Sequence, residues 1–207
     1  MQRTSSAVRF LTAGALAAVL LGGAGAGQAA AAPAASVQRT AVAHGTPYDL
    51  LHPLADLSAQ RLATADLVAA AKYGTDSPID DPAREKQVLD DVARQAREVG
   101  ADPEVMVRIF RDQIEANKVV QRALHHRWDA DPSQAPTERP DLAEVRKEIN
   151  RVNGELVRAV AASPSARMAP YCGGLLTAAA VHVRHDRRLD ALHTVALERA
   201  LRSVCGA

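Results

Sequence analysis

The sequence predicts an all-α protein, a single-domain bundle of about six helices. Three observations carry that prediction. No stretch alternates apolar and polar residues with the period of two that a half-buried strand needs. The punctuation is helical: Asp81-Pro82 and Asp102-Pro103 read as an N-cap followed by proline at the first helical position, and Gly74 and Gly100 read as stops. Between these marks the apolar residues recur every three to four positions, which lines one face of a helix.

Taken in order, residues 1–32 read as a cleaved secretory signal. Arg3 and Arg9 give a positive start, residues 10–26 are apolar and uncharged, and 27–32 are small-residue cleavage sites. The apolar run is short and ends in an Ala-rich zone, which disfavours a retained anchor. Residues 33–46 form an Ala/Pro-rich flexible segment, and 47–207 are the folded domain. About 160 residues suffice for one domain with a real core. The first helix spans 47–73. The second opens at the Asp81 cap and runs towards Gly100, and the third runs from Asp102-Pro103 to about Trp128. A polar, Pro-rich loop covers 129–140. Asp141 then caps a fourth helix, with Glu144 placed for a capping box, and Ser163-Pro164-Ser165 ends it. Two more helices are expected over 168–185 and 188–204.

The first helix organises the rest. Its stripe reads Leu50, Leu54, Leu57, Arg61, Ala65, Val68, Lys72. At about 100° per residue, the eleven-residue step from Arg61 to Lys72 returns to within roughly 20° of the same direction. Two cations thus point where a core belongs, which is costly unless an anion meets them. Buried salt bridges or snorkelling stems are the structural alternative. In the third helix the stripe Met106, Phe110, Gln113, Asn117, Gln121, Leu124, Trp128 sets three amides among apolar residues, and buried amides need partners. In the fourth, Arg146 flanks the stripe Leu142, Val145, Ile149, Val152, Leu156. Arg84 and Glu85 follow the Asp81 cap. A cation in a first turn opposes the helix dipole and makes sense beside an anion. Three arginines, one lysine, two in-register amides and one carboxylate suit a small molecule bearing carboxylates, which guanidinium groups pair bidentately.

Composition narrows the alternatives. Loss of residues 1–32 removes two arginines and no acid, leaving 23 basic against 24 acidic residues, a net charge of −1. That balance argues against nucleic acid or an anionic membrane as partner. Cys172 and Cys205 read, in an exported chain, as a disulfide, with two buried thiols as the alternative. Such a link would add about 3–4 kcal/mol in the chain-entropy picture. His182, His185 and His193 lack metal-site spacing and read as solvated, as do Lys118, Arg122 and Arg127.

Four stretches together resemble the secreted class of all-helical, type II chorismate mutases. They are Arg61-Leu62 with Lys72, the run 78–85 (PIDDPARE), the run 112–121 (DQIEANKVVQ), and Pro140-Asp141-Leu142 leading to Arg146. The cysteine pair also looks like that class's disulfide. The resemblance implies a concerted rearrangement of chorismate to prephenate with no cofactor and no metal. It implies that Arg61 and Arg146 hold the substrate's two carboxylates and that Lys72 and Gln121 face the ether oxygen. Glu85 takes the ring hydroxyl, helped by the backbone at Asp81 and Arg84. Asn117 stands where the family commonly has Ser or Thr, a departure that leaves an N–H donor in place. A homodimer with a complete site in each chain, secreted or periplasmic and free of the membrane once the signal is removed, completes the expectation. The competing readings are an exported helical binding module for a small dicarboxylate, without turnover, and a structural bundle with buried ion pairs.

Overall fold

The computed structural model describes residues 45–206. The expected export signal, and the Ala/Pro-rich segment up to residue 44, lie outside the described residues. Seven α-helices follow one another: α1 Pro47–Lys72, α2 Pro82–Glu98, α3 Pro103–Ala130, α4 Leu142–Ala162, α5 Pro164–Met168, α6 Cys172–Asp186 and α7 Ala191–Ala200. One 3-10 turn, Pro132–Gln134, sits in the loop after α3. Among the described residues no strand forms, and no helix is long and apolar enough to cross a membrane.

The caps follow the sequence marks. Asp81 accepts from the Arg84 N–H, and Asp102 from those of Glu104 and Val105. Thr46 and Asp49 close a capping box on α1, and the helix runs on through Pro53. Gly74 and Gly100 hold positive φ angles of 67° and 71°. At Gly100 the Ala101 N–H reaches the Ala96 carbonyl and the Gly100 N–H that of Arg97, so the last carbonyls of α2 are satisfied. Arg188 closes α6 in the same way at φ 52°, without glycine.

Three local expectations change. Asp141 caps α4 through the Ala143 N–H, but Glu144 turns to Lys147 on the surface, so no capping box forms. The stretch after Ser163 is not a plain break. It makes the short α5, which stops because Pro170 drives Ala169 out of helical backbone, to ψ 144°. The last helix starts only at the Asp190 cap, and 201–205 continue as turns rather than helix.

α1 is the centre. It packs against α3, α4, α6 and α7, and α2 lies across α3 and α4. Leu51, Leu54, Leu62 and the alanines 55, 59, 65 and 69 are buried on α1, and Met106, Ile109 and Phe110 on α3. Small side chains on a central helix let its neighbours approach closely, which leaves polar residues further along α1 enclosed as well. The Cys172–Cys205 disulfide is formed and ties the start of α6 to the residues after α7.

Candidate active site

Between α1, α2, α3 and α4 lies a cleft of about 620 Å³, open to solvent at one side. It brings together the residues that the resemblance placed around the substrate. Arg61 and Lys72 come from α1; Asp81, Arg84 and Glu85 from the start of α2; Asn117 and Gln121 from α3; Arg146 from α4. Val68, Ile79, Val88, Ile114, Leu142 and Ile149 make the apolar walls.

The two cations of the α1 stripe do face inward: Arg61 is 5% exposed and Lys72 9%. Arg61 is fixed on three sides. Its Nε donates to Asn153 Oδ1 at 2.9 Å, its Nη1 donates to the Gln113 carbonyl at 2.8 Å, and its own carbonyl accepts from Asn117 Nδ2 at 3.1 Å. None of these partners is an anion. Burial, with Arg84 nearby, lowers the Arg61 pKa to about 10, so the guanidinium keeps its charge at neutral pH. Lys72 Nζ donates to the Pro78 carbonyl at 2.7 Å. Burial pushes the Lys72 ammonium below its ordinary value. Arg146 adds to that push, and the Asp81, Asp80 and Glu85 carboxylates oppose it.

Arg84 rests against Gln87 Oε1 at 2.6 Å and Asn150 Oδ1 at 3.5 Å. Burial, and then Arg146, depress its pKa. Its backbone N–H is committed to the Asp81 cap at 3.0 Å. Arg146 is half-buried and has no hydrogen-bond or ion-pair partner among the described residues. Indeed, among the described residues no carboxylate comes within 4.0 Å of Arg61, Lys72, Arg84 or Arg146, whereas the exposed cations Lys86, Arg94, Lys147 and Arg151 are each paired.

The amides of α3 form a short chain. Gln121 Nε2 donates to Asn117 Oδ1 at 3.4 Å, and Asn117 donates to α1. Each amide keeps one N–H without a partner among the described residues, and Gln121 Oε1 is buried and unpaired. Gln113, from the same stripe, belongs to the core instead. Its Nε2 donates to Ser58 Oγ and to the Ala200 carbonyl of α7.

Sequence reading missed two residues here. Lys118, placed on a solvated face, is buried and lines the cleft. The register Ile114, Lys118, Gln121 (i, i+4, i+7) would have found it. Asn153 belongs to the series Ile149, Asn153, Leu156, beside the stripe that was read through Val152. Arg122 and Arg127 are exposed, as expected, and so is His185. His193 is not solvated. It bridges Asp66 of α1 at 3.1 Å and its own cap Asp190 at 2.8 Å.

What the arrangement can do follows from its donors. Four cations without an ion-pair partner and two amide N–H groups surround one small apolar-walled space, with the carboxylates of Asp81, committed to its cap, and Glu85 at one side. No nucleophile stands among them. The site is suited to gripping a compact dianion and stabilising negative charge, without covalent chemistry.

Comparison with known proteins agrees. Residues 53–122 match the family described as chorismate mutase type II. The secreted chorismate mutase of Mycolicibacterium smegmatis is 38% identical over 164 residues, covering 78% of this chain and 91% of that protein. The secreted chorismate mutase of Mycobacterium tuberculosis is 35% identical over 157 residues, covering 76% and 79%. Among solved structures, the chorismate mutase of Burkholderia phymatum superposes with a TM-score of 0.74 at 36% identity, over 79% of this chain and all of the other.

Proposed function

The chain belongs to the chorismate mutase type II family, and on that premise we propose how its cleft performs the reaction. It is an isomerase that rearranges chorismate to prephenate, and an exported protein, like its secreted relatives. The observation that carries the site assignment is the set of four unpaired cations around one cleft.

Chorismate has two carboxylates, a breaking C–O ether bond and a ring hydroxyl. Arg61, rigid in its three hydrogen bonds, and Arg146, with no partner to give up, hold the carboxylates and so fix the compact conformer from which the bond can form. Arg84 adds positive field from the α2 end. Lys72 and the free N–H of Gln121 face the ether oxygen, where negative charge grows as the bond breaks. Low dielectric around Lys72 strengthens that interaction. Glu85 accepts the ring hydroxyl, and the spare Asn117 N–H donates to a carboxylate. The step is pericyclic, so no group has to act as base or nucleophile.

All these residues come from one chain. The expected homodimer therefore has two complete sites, and sedimentation of the purified protein tests the assembly. Residues 1–32 are the expected cleaved signal, tested by the N-terminus of the exported protein. Prephenate lies on the route from the shikimate pathway to the aromatic amino acids, so the reaction belongs to aromatic amino acid biosynthesis, carried out here after export.

The direct test follows loss of chorismate absorbance with the purified, oxidised protein. Wild type should consume chorismate with prephenate as product, and Lys72→Ala should lower kcat by about a hundredfold or more, the loss expected for one preorganised donor. Wild-type-like turnover by Lys72→Ala would remove Lys72 from the site. A folded wild type that binds chorismate without consuming it would leave the binding-module reading.

A further inference from the structure

Lys118 is the one cleft cation with acidic partners, and it has three. Its Nζ lies 2.6 Å from Glu115, 3.1 Å from Glu85 and 3.3 Å from Asp80. They reach it from α3 itself, from the first turn of α2 and from the loop before α2. Its side chain is 10% exposed, while those acids are 41%, 28% and 58% exposed. Burial works against its charge, but hydrogen bonds to Glu115, Glu85 and Asp80 outweigh that and hold the ammonium above the ordinary lysine value. Arg122 grips Asp80 from the outer side, at 2.6 and 2.8 Å.

From this geometry we infer that Lys118 is a positioning residue: it draws the acids at the α2 side of the cleft onto itself, presenting Glu85 in a fixed place and keeping Lys72 uncompensated. The inference rests on the chorismate mutase reading above. Its logic is electrostatic. Asp80 and Glu85 already act on Lys72 through space, without touching it. Without the Lys118 charge, the nearest strong attraction for the Glu85 carboxylate is a cleft cation. An acid seated on Lys72 both competes with the substrate and neutralises the field that the ether oxygen needs. A lysine suits the task better than an arginine fork here. A compact ammonium with three rotatable donors can meet three separate carboxylates.

The test is a double-mutant cycle on kcat and KM for chorismate, using purified oxidised protein. Lys118→Met should raise KM by about tenfold and lower kcat less, a coupling within the usual range for contacting charged residues. In a Glu85→Gln background the same substitution should lose most of its effect, because the displaced acid is gone. Lys118→Arg should recover most of the KM lost in Lys118→Met. A merely structural lysine would instead lower stability and leave KM equally affected in both backgrounds, and that additivity, or an unchanged KM, overturns the inference. Should Lys118→Met fail to fold, Lys118→Gln, which keeps an N–H donor without the charge, enters the same cycle under the same criteria. A wild type that does not consume chorismate removes the functional reading itself, which separates the two failures.

Discussion

At the scale of single residues, the site is a matter of which polar groups have partners. Arg61 is held by acceptors that carry no charge, so its own charge stays available. Asn153 is the least obvious of these. Removing it with Asn153→Ala leaves the buried Nε of Arg61 without an acceptor, which should cost about 1–3 kcal/mol of stability in chemical denaturation. It should also raise KM for chorismate, since the guanidinium is freed to rotate. An unchanged KM would show that Gln113 alone sets Arg61. The α1 cations were legible in the sequence because helical spacing is a local rule, and Arg61 and Lys72 fall in an apolar stripe by that rule alone. The inward position of Lys118 was legible by the same rule, in the register Ile114, Lys118, Gln121, but its partners were not: Asp80 and Glu85 arrive from another element, and no local pattern on α3 encodes them.

At the scale of elements, α2 and α7 show two ways of docking on α3, α2 with α4 and α7 with α1 as the second support. α2 brings the cleft its acids and one arginine. α7 brings no cleft residue, but it is clasped to α1 by His193. The hydrogen bond that its ring donates to Asp66 raises the His193 pKa from 6.5 to about 9, against the effect of burial and with help from Asp190, which Arg127 also faces. A group that binds its proton more tightly in the folded state gives stability that is full below pH 6.5 and is lost as pH rises through about 9. The melting-temperature advantage of wild type over His193→Gln should therefore shrink across that interval, and a difference independent of pH would show that the clasp carries no charge. The caps of α2, α3 and α4 were plain in the sequence because an aspartate at a helix start acts within one turn, although Glu144 did not close the expected box on α4. The short α5 was not, since five residues are too few to show a period and Ser-Pro-Ser reads as a stop.

At the scale of the whole molecule, the bundle is closed at its far end by Cys172–Cys205. Replacing both with alanine should lower unfolding free energy by about 3–4 kcal/mol, the entropy of a loop just over thirty residues long. Equilibrium denaturation with and without reductant measures it, and identical curves for wild type under both conditions would count against a stabilising link. The fold class followed from the sequence because the long helices α1, α3 and α4 each carry their own stripe and most helices carry a cap. The order in which the helices enclose a cleft did not, except through resemblance. One feature joins the cleft to α7. The Gln113 carbonyl receives Arg61, while the Gln113 side chain is held by the carbonyl of Ala200. A guanidinium of α1 is thus braced, through one residue of α3, by the end of α7. Competence of the cleft is thereby tied to the seating of α7: a change that loosens that helix reaches Arg61 without touching any residue that lines the site.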